Sequence, residues 1–260
     1  MPDLGHRAVD ARELMDDPDC DPVRLAATYR QFRLVNRAVA GWRTTYCQLI
    51  RPLLSHVTPS TLLDLGCGGG DLSRALAAWA ARDGVILQVL GIDPDERAFR
   101  FATDGVGAGG VGAEPLHQPV AFRQASSADL VAEGQTFDFV VSNHVLHHLS
   151  APDLRTFLAD SLLLADKLSI HNDLRRNALA YALFAVAAAP LRGSFIRHDG
   201  LISIRRSYTP AELSATVPSG WRVERHRPFH QLLLRDAPER NGLQDGPPTE
   251  IRQRSEPHHD

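Results

Sequence analysis

Residues 61–71 read Thr61-Leu62-Leu63-Asp64-Leu65-Gly66-Cys67-Gly68-Gly69-Gly70-Asp71. Three leucines around one acid make a short strand, and the glycines after it make a turn into the helix that Leu72-Ser73-Arg74 opens. Glycine adopts left-handed backbone and lets a ligand come close to the main chain, so this unit predicts a nucleotide-like ligand at the carboxyl end of the strand. A dinucleotide fingerprint, Gly-x-Gly-x-x-Gly, would place its third glycine at Asp71. An acid at that helix start would repel a pyrophosphate.

Outward from this unit, short apolar runs alternate with helical ones. Strands are predicted at 61–65, 86–92, 120–123, 137–142 and 164–170, and helices at 70–81, 95–102, 152–163 and 173–189. Such alternation implies an α/β fold with a mostly parallel sheet and helices on both faces. Segments 222–226 and 229–235 flank Arg227-Pro228 and add an antiparallel edge hairpin, for seven strands in all. Ahead of the sheet, apolar residues recur at helical spacing from Pro22 to Leu54, giving an N-terminal helical cap at 21–58 made of two helices. The main domain is expected at 59–235, with the helix at 173–190 acting as a lid. Residues 1–20 and 236–260 are expected to be flexible ends, and 105–119 a surface loop.

The chain has 260 residues, of which 43% are hydrophobic and 23% charged, ordinary values for one globular domain with a packed core. Lys167 is the sequence's only lysine and the formal charge is -3, which leaves no nucleic-acid footprint. Cys20, Cys47 and Cys67 are too few for a disulfide framework or a zinc cluster and fit a reducing, cytoplasmic setting. The polar N-terminus lacks the basic-then-apolar order of a secretory leader. The longest apolar run, 178–190, is about a dozen residues where a spanning helix needs about 20, so no membrane span is expected. That run must be covered by protein or by an apolar ligand.

Asp93 closes the second strand in Gly91-Ile92-Asp93-Pro94-Asp95. With Asp64 it suits a ligand carrying a sulfonium, an amino group and ribose hydroxyls. On these residues the chain resembles the class I S-adenosylmethionine-dependent methyltransferases, whose first motif is close to Leu63-Asp64-Leu65-Gly66-Cys67-Gly68-Gly69-Gly70; the likeness extends over 61–235. The resemblance implies a Rossmann-like fold, S-adenosylmethionine (SAM) as cofactor and S-adenosylhomocysteine (SAH) as product. It implies ribose contacts at Asp93 with Pro94 beside them, a methionine and ribose cradle at Gly66, Gly68 and Gly70, and an amino-group or water contact at Asp64. Many relatives carry an acid after the third strand that meets the adenine amine. Here Ser126 stands in its place within Ala125-Ser126-Ser127-Ala128-Asp129, and Asp129 reads equally as a helix-start acid. The first helices are similar to those of ubiquinone-pathway O-methyltransferases, in which an asparagine precedes Arg-x-x-Tyr. Asn36 and Arg43-Thr44-Thr45-Tyr46 supply these residues at a different spacing, so Arg43 is expected to hold the methionine carboxylate, with surface pairing the alternative.

The fourth strand runs into Asn143-His144-Val145-Leu146-His147-His148-Leu149, at the crevice of a doubly wound sheet. Asn143 is assigned to the cofactor and His144 to general-base catalysis, since an ordinary imidazole with pKa near ~6.5 is mostly neutral at pH 7. His147 and His148 belong to a tail common in the family without being catalytic, and His148 is carried as a substrate-side residue. The run His-x-x-His-His also aligns with the Glu-x-x-Glu-His that some ubiquinone-type relatives use around a divalent metal, and imidazoles suit zinc better than magnesium. No metal is assigned. Tyr181 and Phe184 on the apolar helix are expected at the acceptor. So are His198 and Arg206, in a stretch that resembles bacterial polyketide and phenolic-lipid methyltransferases. The expected function is O-methylation of a hydrophobic phenol or polyketide of secondary metabolism. The alternatives are C- or N-methylation on the same scaffold, and, further off, a dinucleotide-dependent reductase or a non-catalytic cofactor-binding protein. The expected partner is a hydrophobic small-molecule acceptor, with a homodimer left open.

Overall fold

Successive residues of β1 (Ser60–Leu65) face opposite sides of a sheet, and both sides are buried. Leu62 packs with Leu76, Val89 and Phe139, whereas Leu63 and Leu65 pack with Ile92, Leu130 and Val140. A strand apolar on both faces must be central. β1 pairs in parallel with β2 (Leu87–Asp93) on one edge and with β4 (Phe137–Asn143) on the other. β3 (Val120–Gln124) extends the sheet beyond β2, and β5 (Ala165–Leu174) extends it beyond β4, again in parallel. β7 (His230–Asp236) runs antiparallel to β5, and β6 (Arg222–His226) antiparallel to β7, so the order is β3-β2-β1-β4-β5-β7-β6. This is the seven-stranded, mostly parallel α/β sheet with an antiparallel hairpin that the sequence implied. The computed structural model describes residues 2–104 and 120–236; the expected 105–119 loop and nearly all of the 236–260 tail lie outside the described residues.

Helices cover both faces, and α4 (Glu96–Asp104) follows β2. α3 (Asp71–Arg82) lies on the Leu62 side together with the helical turns of 42–53, which contribute Trp42, Tyr46 and Ile50 to that core. α5 (Ser127–Ala132) and α6 (Ala151–Leu164) lie on the Leu63 side through Leu130, Phe157 and Leu164. α1 (Pro22–Val39) starts where the Asp21 carboxylate accepts the Val23 and Arg24 amides and Pro22 needs no donor partner. Gly41, at φ 71°, turns the chain into α2 (Trp42–Thr45), so the two predicted cap helices are present, the second ending in a wider turn at Tyr46–Ile50.

Three expectations differ from the structure. β5 runs on to Leu174, because β7 pairs with it residue by residue up to Leu174 opposite His230. Asp173 therefore sits in a strand, and the helix predicted from 173 is α7 (Ala178–Ala187), capped by the Asn177 side chain. The stretch 197–206, read without a helix, lies in α8 (Ile196–Arg206), followed by α9 (Pro210–Thr216) with a Thr209–Glu212 capping box. The N-terminal segment, expected to be loose, is tied down. Arg176 donates to the Leu4 and Gly5 carbonyls, Arg7 stacks 3.5 Å over the Tyr208 ring, and the Leu14 and Met15 amides donate to the Asp199 carboxylate at 2.8 and 3.0 Å.

Leu62 is fully buried in the central strand, so Leu62→Ala should cost about 2–5 kcal/mol of unfolding free energy, read as a lower urea midpoint with an unchanged slope.

Candidate active site

The strand order reverses beside β1, and the carboxyl ends of β1, β2 and β4 open into a cleft of about 430 Å³. At the end of β1 the chain turns through Gly66, Gly68 and Gly70 at φ 69°, 52° and 73°. A Cβ on Gly70 would lie 2.5 Å from the Phe122 ring, and one on Gly66 would lie 2.8 Å from Val145 Cγ2. Both the backbone angle and the space there demand glycine.

Three carboxylates surround this turn. Asp64 is buried on the α3 side of β1 and accepts a 2.6 Å hydrogen bond from Ser73 Oγ; burial raises it to about 7, against the effect of Ser73, with Asp71 and Asp93 adding to the rise. Asp71, at the first turn of α3, is also raised by burial although Asn36 Nδ2 donates to it at 3.2 Å. The Asn36 side-chain oxygen, Oδ1, is buried in the same cleft without a donor among the described residues. Asp93 is raised by burial, and its two oxygens accept the Gly68 and Asp95 amides at 3.0 Å each.

Imidazoles gather where β4 ends. His144 has a left-handed backbone, φ 59°, and its amide donates to the Asn172 carbonyl at 2.8 Å. Its Nε2 lies 3.1 Å from His230 Nε2, and His230 Nδ1 lies 3.4 Å from the Pro228 carbonyl. The network assigns a donating Nδ1 and an accepting Nε2 to His230, so His144 donates through Nε2 and keeps a lone pair on Nδ1. Burial, then His230, pushes His144 down to about 3. His147 is different: its amide and its Nδ1 both engage the Asp173 carboxylate at 2.7 Å, and its Nε2 faces Glu13 Oε1 at 3.5 Å. Burial would lower this imidazole, but Asp173 and Glu13 outweigh it and push it up to about 9. Phe32, Phe184, Ile196 and Ile204 give the cleft an apolar wall.

Residues 62–163 match the family described as "Methyltransferase domain". A ubiquinone biosynthesis O-methyltransferase of Methylobacterium sp. (strain 4-46) is 33% identical over 162 residues, 62% of this chain and 58% of that protein. These matches mark residues 62–163 as similar to a methyltransferase domain. A second ubiquinone biosynthesis O-methyltransferase, from Methylobacterium nodulans, is 31% identical over 161 residues, 61% of this chain and 58% of that protein. The chain thus spans less than two thirds of the length of these curated relatives. Among solved structures, the plantazolicin methyltransferase BpumL in complex with SAH has a TM-score of 0.60 at 14% identity, covering 86% of this chain and 93% of that one, which shows the shared fold.

The cleft collects Asp64, Gly66, Gly68, Asp93, Pro94, Asn143, His144, His148 and Phe184 among the expected residues. Gly70 caps α3 behind the turn. Five expected residues are elsewhere. Arg43 is exposed and stacks 5.4 Å over both Tyr46 and Trp79, because Gly41 rotates α2 so that Trp42, not Arg43, faces inward. Trp42 Nε1 donates to Asn143 Oδ1 at 2.8 Å. Ser126 caps α5 in a box with Asp129 and is absent from the cleft lining. Tyr181 lies outside the lining, one helical turn from Phe184. His198 is half exposed and turns to Asp199 at 2.9 Å. Arg206 is buried behind the site, where it donates to the His147 and His148 carbonyls at 3.3 and 3.1 Å. The sequence reading missed Glu13, Asp173 and His230; the only sequence signal for them is an acid or imidazole within otherwise ordinary runs.

Asp64 is raised to about 7 in the folded chain, against an ordinary carboxylate value near ~3.9 once unfolded. The stability this group contributes is therefore complete below about pH 4 and lost as pH rises through about 7. Asp64→Asn, which cannot titrate, should gain on the wild type by roughly 2 to 4 kcal/mol between pH 4.5 and 8 in urea unfolding of the ligand-free protein. A difference that does not change with pH would mean that Asp64 is ionised throughout.

Proposed function

We propose that the protein transfers the methyl group of SAM to a hydroxyl of a hydrophobic small molecule, a phenol or polyketide of bacterial secondary metabolism, in the cytoplasm. The observation that carries this reading is the set of three carboxylates around the glycine turn, Asp64 buried and Asp71 and Asp93 partly buried, each raised by desolvation. Buried acids of this kind are costly alone and favour a cationic ligand. SAM carries an ammonium and a sulfonium, whereas a pyrophosphate would be repelled. The relatives named O-methyltransferases support oxygen as the acceptor atom, and the apolar wall supports a hydrophobic acceptor.

SAM supplies a methyl group activated on sulfur for in-line displacement. The chain contributes binding, orientation and exclusion of water. Asp93 is held by two backbone amides in position to accept ribose hydroxyls, and Asn36 Oδ1 and Asp64 can accept from the amino end. Val145 and the glycine turn shape the space between. α7, α8 and the 13–16 segment close the acceptor side. His144 stays neutral across the physiological range, and its low basicity makes it a hydrogen-bond acceptor for the incoming hydroxyl in preference to a strong general base.

Charge-assisted hydrogen bonds contribute about 1.5–3 kcal/mol, so Asp93→Ala should weaken SAH binding by about ten- to a hundredfold in calorimetry while the fold persists. Unchanged affinity would remove Asp93 from the cofactor site. For a phenolic acceptor, turnover should rise with pH as the acceptor ionises, and His144→Asn should lower the rate without changing the shape of the profile. A wild-type break near pH ~6.5 that vanishes in His144→Asn would instead restore the strong-base role.

A further inference from the structure

Glu13, His147 and His148 come together at one wall of the cleft, and all three line it. His147 and Glu13 are almost fully buried, while His148 is about one-third exposed. His147 Nε2 lies 3.5 Å and His148 Nε2 3.7 Å from the same oxygen, Glu13 Oε1. On the far side of each ring stands a carboxylate: Asp173 Oδ1 is 2.7 Å from His147 Nδ1, and Asp16 Oδ2 is 3.4 Å from His148 Nδ1. Ser203 Oγ donates to Glu13 Oε1 at 2.7 Å.

A proton shared between His147 and Glu13 would draw them to roughly 2.7–2.9 Å, as on the Asp173 side of the same ring. The gap stays at 3.5 Å, and His147 Nε2 is buried without a hydrogen-bond partner among the described residues. Metal–ligand bonds of about 2.0–2.2 Å at a tetrahedral angle put neighbouring ligand atoms about 3.4 Å apart, close to both gaps. A carboxylate behind each imidazole is also the arrangement that turns a histidine's free nitrogen towards a metal.

We propose that Glu13, His147 and His148 form a binding site for a zinc-class divalent transition metal, with Asp173 and Asp16 orienting the two imidazoles and the cleft providing the open position. Two imidazole nitrogens and one carboxylate favour zinc and its neighbours over magnesium or calcium. His144, which the sequence aligned with such a set, takes no part, since its Nε2 is bound to His230. The third ligand comes from the N-terminal segment instead, so the ion would fasten residues 13–16 to the end of β4. The site stands on its own geometry and does not depend on which methyl acceptor, if any, the cleft receives.

The test uses the full chain without an affinity tag, stripped by chelator and titrated with zinc chloride in calorimetry, with metal content measured after gel filtration. His258 and His259 could also take zinc, so the double variant His258→Gln/His259→Gln is titrated in parallel. One equivalent should bind to the wild type and to that double variant and raise their melting temperatures. Glu13→Gln and His148→Gln, the latter at a partly exposed position, should each weaken binding by at least tenfold and lose the thermal shift. Either variant suffices if the other fails to fold. Cobalt(II) should give the visible absorption of a four- or five-coordinate site in the wild type and in the His258→Gln/His259→Gln variant, and not in the two cleft variants. Absence of stoichiometric zinc, or binding untouched by both cleft variants and abolished in His258→Gln/His259→Gln, would overturn the proposal.

Discussion

β1 is hydrogen-bonded to β2 on one edge and to β4 on the other, and the cleft opens where these two ladders end. Connections leaving a parallel sheet in opposite directions from adjacent strands cannot both cover the gap between them. The crevice is thus a consequence of strand order, held open by two hydrophobic layers that share only the sheet. Leu62 and Leu63, adjacent in sequence, belong to different layers. The glycine turn, Asp93 and His144 inherit their positions from that one strand and its partners.

The parts of this architecture that obey a local rule were legible in the chain. The 66–70 turn requires left-handed backbone, Asp93 ends an apolar strand, and the edge hairpin flanks Arg227-Pro228; each announces itself within a few residues. Residues whose orientation depends on distant packing were not legible. Arg43 and Trp42 are neighbours, and which of them faces the cleft is decided by a backbone twist at Gly41. Ser126 had two possible duties, and the nearby Asp129 amide claims it as a cap. The end of β5 was misplaced because the apolar helical run begins only at Ala178, while pairing with β7, which is non-local, carries the strand through Asp173. α9 could have been found from Thr209-Pro210 and Glu212, a complete start signal. α8 is harder, since Arg197, His198 and Asp199 hide its buried face.

The match to the methyltransferase family covers 62–163, yet much of the cleft's far wall comes from outside it. Tyr29, Phe32 and Asn36 arrive on α1, Ile196 and Ile204 on α8, and Met15 with Glu13 on the N-terminal segment. The glycine turn and the three acids around it thus come from the matched region, whereas α1, α8 and the N-terminal segment add apolar residues together with Asn36, Glu13 and Asp16. Because the two sets lie on different elements, the peripheral wall can change without disturbing the sheet or the glycine turn.

The backbone of His144 carries a further implication. A side chain held at φ 59° occupies a conformation that asparagine, aspartate and histidine tolerate better than other residues with a Cβ, and that β-branched residues enter only with strain. The tip of β4 thus accepts a short alphabet of replacements. A drifting sequence could exchange the ring for a small polar group or for glycine, but valine, isoleucine and threonine are closed to it by geometry alone, whatever chemistry the cleft performs.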